Sequence, residues 1–112
     1  MQTVVETPTF QRQVAKLLED DEWQELIGVL AETPEAGDPV PGTGGVRKLR
    51  FGTRGQGKSG GIRVIYYIFD TELPVYALLA YGKGEQVKLS ADQKRKIAEF
   101  ARAIKAEARK RR

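Results

Sequence analysis

The residues best suited to chemistry are six cations in segment 46–63, which contains no acidic residue. They are Arg47, Lys48, Arg50, Arg54, Lys58 and Arg63. Lysine and arginine side chains bind phosphate oxygens through charge-assisted hydrogen bonds, and clusters of them contact the backbone of nucleic acids. The segment therefore predicts a surface that binds a polyanion.

The chain has no cysteine and no histidine. Disulfides and thiolate metal sites are therefore excluded, and zinc loses both of its usual ligand types. We expect no metal and no cofactor, so any catalysis must come from Lys, Arg, Tyr, Ser, Thr or carboxylate side chains.

Charge is divided unevenly along the chain. Residues 1–45 hold two basic and nine acidic residues, a net −7, whereas residues 46–112 hold 17 basic and six acidic residues, a net +11. This asymmetry favours a basic surface that meets nucleic acid, with the acidic part as scaffold. A merely well-solvated protein is the alternative, because charge also governs solubility.

The elements that position these cations follow from hydrophobic periodicity and capping signals. They are a strand at 3–6, a helix from Thr7 and Pro8, a second helix containing Trp23, strands at 46–51, 62–69 and 75–81, and a helix capped by Ser90 and Gln93. Segment 34–45 is rich in proline and glycine and is predicted to be a loop. The last three strands have connections too short for a crossover helix, so we expect them to be antiparallel.

These elements predict one α+β domain over residues 1–112, with an antiparallel sheet and the order β-α-α-β-β-β-α. The longest apolar run is far too short to span a bilayer, and the first residues do not resemble a signal peptide. We therefore expect a cytoplasmic protein.

Strand parity divides the cations between two faces. Lys48 and Arg50 share one face of their strand, while Leu49 and Phe51 share the other. If the hairpin register also aligns Arg63 with them, all three cations converge on one open face. Charges that blunt an edge strand, or an arginine that reaches water from a strand end, are the structural alternatives.

The loop that follows contains a misleading motif. Residues 52–59 match the phosphate-loop pattern G-x-x-x-x-G-K-S. That motif must open a helix whose N-terminal amides hold the phosphates, and here a strand follows, so nucleotide hydrolysis is rejected. Arg54 and Lys58 are instead predicted to contact a phosphate backbone.

Four tyrosines, Tyr66, Tyr67, Tyr76 and Tyr81, are candidates for stacking on bases, although aromatic residues in strands more often belong to a core. Tyr81 is the best placed, because it ends its strand beside a turn that contains Lys83. Tyr67 is a second candidate.

Four segments together resemble the RelE/ParE superfamily of toxins from bacterial toxin–antitoxin modules, and most closely its HigB-like members that cleave messenger RNA on the ribosome. They are VETPTF (5–10), EAGDPVPGTGGVRKLR (35–50), GKSGGIRVIYY (57–67) and YGKGE (81–85). The resemblance covers nearly the whole chain. It implies a compact fold in which helices cover one side of an antiparallel sheet.

The resemblance also implies an endoribonuclease that enters the ribosomal A site, where the ribose 2′-hydroxyl attacks the adjacent phosphate of the messenger. Lys48 and Arg50 match the family's two basic strand residues, with Lys48 the candidate base because arginine stays protonated. Arg63 matches the arginine that stabilises the phosphate, and Lys83 could serve the leaving group. Arg47, Arg54, Lys58, Tyr67 and Tyr81 are the predicted RNA contacts.

Two departures keep alternatives open: Gly84 replaces a second basic residue of some relatives, and their C-terminal tyrosine has no obvious counterpart here. Tyr81 or Tyr67 could replace it. The alternatives are a ParE-like inhibitor of DNA gyrase without nuclease activity and a non-catalytic RNA-binding module. The expected partners are a cognate antitoxin, which would cover the basic surface or lock the last helix, and the ribosome with its messenger.

Overall fold

The computed structural model describes residues 2–53, 61–82 and 90–110. Its elements in chain order are β1 (Val4–Glu6), α1 (Pro8–Leu17), α2 (Asp20–Glu32), β2 (Asp38–Pro39), β3 (Val46–Thr53), β4 (Gly61–Tyr67), β5 (Val75–Gly82) and α3 (Ala91–Lys110). The predicted α+β class is confirmed. The short strand β2 is an addition, because it lies in a segment predicted to be a loop.

Local capping signals begin the helices where the sequence predicts them. The Thr7 hydroxyl accepts a hydrogen bond from the Phe10 amide at 3.0 Å and begins α1. At the start of α3, Ser90 Oγ accepts from the Gln93 amide at 3.1 Å, and Gln93 Oε1 accepts from the Ser90 amide at 2.9 Å. Each cap satisfies an amide that the first turn would otherwise leave unpaired.

The strands form one sheet in the order β1-β5-β4-β3-β2. β2, β3, β4 and β5 pair antiparallel, as their short connections predict, but β1 pairs parallel to β5. The prediction of a wholly antiparallel sheet is therefore wrong. The short-connection rule has no force for β1, because α1 and α2 separate it in sequence from its partner.

Helices cover both faces of the sheet. α1 and α2 pack on one face around a core that includes Phe10, Leu30, Val64 and Tyr66. On the other face, α3 contributes Ile97 and Ala101 to a second core. The one-sided arrangement that the resemblance implies is therefore wrong for this chain, because the apolar stripe of α3 meets apolar side chains on the second face.

None of the helices in the described part of the chain is both long and apolar enough to cross a lipid bilayer.

Candidate nucleic-acid interface

The pairing register shows whether Arg63 lies on the same face as Lys48 and Arg50, which strand parity alone leaves open. Arg50 on β3 lies directly opposite Arg63 on β4, and Arg63 lies directly opposite Tyr81 on β5. Residues paired in this way share one face of a sheet and have Cβ atoms about 4.5–5.5 Å apart. The register therefore supplies the alignment that parity left open, and three side chains form a row across three strands.

Lys48 lies on the same face as this row. It pairs with Ile65 and is two residues from Arg50 along β3, which places the two Cα atoms about 6.6 Å apart. Arg50 is exposed, and Lys48 and Arg63 are half-buried. We call Lys48, Arg50, Arg63 and Tyr81 the basic face.

The basic face has positive charge without matching negative charge. The ion pairs that form between described residues join Asp92 to Arg95 and Lys96, and none involves Lys48, Arg50 or Arg63. Two like charges directly opposite each other in a sheet destabilise it. An anion held between Arg50 and Arg63 would remove this repulsion.

Arg63 has a buried nitrogen that lacks a hydrogen-bond partner among the described residues. Among the described residues, its Nη1 is the buried side-chain nitrogen or oxygen that has no hydrogen-bond partner. A buried donor left unpaired costs about 1–3 kcal/mol, and more when the group is charged. The guanidinium is therefore in a position to gain free energy from an acceptor that the described residues do not supply.

Tyr81 completes the row as a hydrogen-bond donor. Only 7 % of its surface is exposed. Burial raises the pKa of the Tyr81 phenol, and the positive charge of Arg63 lowers it by a smaller amount. Because the pKa rises from its ordinary value of 10.0, the phenol stays protonated at neutral pH. Its hydroxyl can therefore donate a hydrogen bond, but it cannot act as a base.

Arg47 does not belong to the basic face. It pairs with Tyr66 on the opposite face, and its Nη1 donates to the carbonyl oxygens of Gly37 at 2.7 Å and Glu35 at 3.3 Å. The Tyr66 hydroxyl accepts a hydrogen bond from the Gly37 amide at 2.8 Å. Arg47 therefore fixes the chain that precedes β2, on the face opposite the basic face, and its contact with RNA stays a prediction.

Tyr67 is also separated from its predicted role. It lies on the same face as Arg63, but it is 2 % exposed and belongs to the core that α3 covers. Burial raises its pKa, with Arg109 of α3 lowering it slightly. Tyr81 belongs to the same core, but it differs from Tyr67 in that it pairs directly with Arg63 and lines a cavity at the edge of the sheet.

Three predicted site residues, Arg54, Lys58 and Lys83, lie outside the described residues. Within the described part, no group of three or more acidic side chains is arranged to hold a metal ion.

Sequence reasoning missed the approach of α1 to the edge of β5 beside Tyr81. β1 pairs only with residues 75–77 of β5, so the remaining edge of β5 is met by α1 instead. Gln13 Oε1 accepts from the Ala80 amide at 2.8 Å. This contact brings Arg12 and Lys16 beside Tyr81 around a cavity of about 570 Å³. Their i, i+4 spacing in an otherwise acidic region is the sequence signal that could have identified them.

No protein-family model matches this chain. The resemblance to the RelE/ParE superfamily therefore stays a prediction that depends on the four sequence segments.

Proposed function

We propose that this chain is the toxin of a bacterial toxin–antitoxin module, an endoribonuclease that cleaves translated messenger RNA in the ribosomal A site. The observation that supports this proposal most is the row Arg50–Arg63–Tyr81, in which a buried guanidinium nitrogen has no acceptor. Two arginines without a carboxylate suit a ligand that is itself anionic, and an RNA phosphodiester is such a ligand.

The proposed reaction needs neither histidine nor a redox partner. The ribose 2′-oxygen attacks the adjacent phosphorus and loses its proton, the bond from phosphorus to the 5′-oxygen breaks, and that oxygen takes up a proton. The products are a 2′,3′-cyclic phosphate and a 5′-hydroxyl. The protein must therefore bind the phosphate, stabilise the charge that develops on it, and exchange two protons.

The basic face has a side chain for most of these tasks. Arg63 and Arg50 would bind the non-bridging phosphate oxygens, where donors have most effect as the charge increases in the transition state. Lys48 lies on the same face, and its neutral amine would accept the proton of the 2′-hydroxyl. Arginine cannot take this role because it stays protonated. Tyr81 would donate a hydrogen bond to the same phosphate. Lys83 stays the candidate for the leaving group.

The same charges suit the proposed regulation. An antitoxin segment rich in carboxylates would occupy the cations that otherwise bind RNA, because both ligands offer oxygen acceptors to the same donors. The net charge of +11 in residues 46–112 supports attraction of both partners over a distance.

The deciding experiment compares wild type with Arg63→Met under tight induction, with Arg102→Met as the matched control. Arg102 is an exposed arginine of α3 that no described ion pair involves. Primer extension and sequencing of 5′-hydroxyl ends map new cuts in cellular messages. We expect cuts within translated codons for wild type and Arg102→Met, and none for Arg63→Met.

Other outcomes assign the chain to another class. Growth arrest without new RNA ends, unchanged by Arg63→Met, would contradict the proposal and indicate a gyrase inhibitor. Salt-sensitive RNA binding without cleavage on programmed ribosomes would indicate a plain RNA-binding module.

A further inference from the structure

The cavity between α1 and β5 lies at the edge of the sheet, where it meets the basic face at Tyr81. Its lining includes Arg12, Gln13 and Lys16 from α1 together with Ala80 and Tyr81 from β5. Tyr81 therefore belongs both to this cavity and to the row that contains Arg63. Neighbouring strands lie about 4.8 Å apart, so the row from Arg50 to Tyr81 crosses roughly 10 Å and ends at the cavity.

The charge in the cavity is unusual for its part of the chain. Residues 1–45 contain nine acidic residues, yet none lines the cavity, and their two cations, Arg12 and Lys16, both do. Both side chains are exposed. Arg12 makes a single described hydrogen bond, a long one of 3.3 Å from Nη2 to the Thr9 hydroxyl. The i, i+4 spacing of Arg12 and Lys16 on α1 makes them neighbours, and the packing of α1 against the edge of β5 places the pair beside Tyr81.

The shape of this cavity is held by the backbone. Thr7 Oγ1 donates to the Leu78 carbonyl at 2.9 Å, and Gln13 Oε1 accepts from the Ala80 amide at 2.8 Å. These contacts fix α1 against β5 at both ends of the unpaired edge. The cations therefore project from a rigid helix, which loses less conformational freedom on binding than a mobile loop would.

We propose that this cavity is a second RNA subsite, which binds the nucleotide next to the one on the basic face, with its phosphate held by Arg12 and Lys16. This inference rests on the proposed function, because it assigns the neighbouring segment of the same strand. A volume of about 570 Å³ is within the range of about 300–1,000 Å³ that small ligands occupy. Tyr81, placed between the two subsites, would contact both nucleotides.

The test measures binding of a single-stranded RNA whose ribose carries 2′-O-methyl groups and cannot be cleaved. Fluorescence anisotropy over a range of salt concentrations compares wild type, Arg12→Gln/Lys16→Gln and Arg102→Gln/Lys105→Gln. The last pair lies on α3 and removes the same two charges, so it controls for net charge. All four side chains protrude at least partly into solvent, so the substitutions should leave folding intact.

The expected result is a change in salt dependence. Each phosphate neutralised on a single strand adds about 0.7 to the slope of log affinity against log salt, and Arg12 and Lys16 hold one phosphate, so the α1 pair should lower the slope by about 0.7. If affinities converge near ~1 M salt, that difference makes binding roughly 5-fold weaker at ~0.1 M. The α3 pair should leave the slope at the wild-type value.

The remaining outcomes separate this inference from the proposed function. If Arg63→Met weakens RNA binding but the α1 pair matches the α3 control, the second subsite is refuted and the proposed function stands. If Arg63→Met binds as well as wild type, the basic face is not an RNA site, and both the proposed function and the subsite are refuted. If wild type itself does not bind this free RNA, the subsite is refuted, and the mapping of RNA ends in cells decides the proposed function.

Discussion

Replacing Arg63 by methionine is expected to stabilise the protein while it abolishes the proposed reaction. Methionine keeps the apolar stem of the side chain and removes the guanidinium. The unpaired Nη1 costs about 1–3 kcal/mol, and the repulsion from Arg50 across the strand pair adds roughly 0.2–1 kcal/mol. Because the variant also gives up some solvation of the charge, we expect a net gain of about 1–3 kcal/mol in the free energy of unfolding.

Urea and thermal unfolding followed by circular dichroism measure this gain. For a domain of 112 residues, about 1 kcal/mol corresponds to roughly 4 °C in Tm, so the expected shift is about 4–12 °C. Sulfate is a probe of the anion site. At a concentration of about ten times its Kd, binding should stabilise the wild type by about 1.4 kcal/mol and leave Arg63→Met without this gain.

A double-mutant cycle tests the cause of the effect. Arg50→Met should also stabilise the protein, and the double variant should gain less than the sum of the single gains, because the repulsion can be removed only once. Arg102→Met should change stability by no more than about 0.5 kcal/mol. A loss of stability in Arg63→Met, or equal stabilisation of wild type and Arg63→Met by sulfate, would refute the assignment of Arg63 to an anion site.

Two further predictions concern the buried tyrosines. Tyr66→Phe removes the hydroxyl that accepts a hydrogen bond from the buried Gly37 amide. The variant should lower the free energy of unfolding by about 1–3 kcal/mol in urea titrations, and an unchanged midpoint of unfolding would contradict this. Burial raises the pKa values of Tyr66, Tyr67 and Tyr81 from 10.0, so the folded state holds these protons more tightly than the unfolded state. Stability should therefore be unaffected by these groups below pH ~10 and fall above it, by at most about 1.4 kcal/mol per pH unit for each tyrosine until the folded pKa is reached. Unfolding measured from pH ~8 to ~11 checks this, and constant stability would contradict it.

Local patterns predicted the elements and the face of β3, because capping and strand parity depend on neighbouring residues. Thr7 and Ser90 begin helices as their side chains indicate, and Arg50 meets Arg63 because a hairpin has few possible registers. The parallel pairing of β1 depends on a partner some 70 residues away, as Val4 opposite Val75 shows. No local pattern encodes such a contact.

The burial of Tyr67 has the same explanation. Parity places it on the face of Arg63, but its exposure depends on where α3 packs, and the apolar stripe of that helix does not specify which row of the sheet it covers. Arg12 and Lys16 were overlooked for a related reason. Their approach to Tyr81 depends on β1 ending early enough to leave an edge of β5 for α1.

The cations of segment 46–63 have the same charge and differ in their hydrogen-bond partners. Arg47 already donates from Nη1 to two backbone carbonyl oxygens, so its guanidinium is held against the chain that precedes β2. Arg63 has a buried nitrogen with no acceptor among the described residues and another arginine opposite, so an anion bound there displaces no described hydrogen bond of that nitrogen and removes a repulsion. The gain from binding an anion is therefore largest at Arg63, although the two residues have the same charge. For this reason the basic face, and not the whole basic segment, is the surface on which we expect the phosphate to bind.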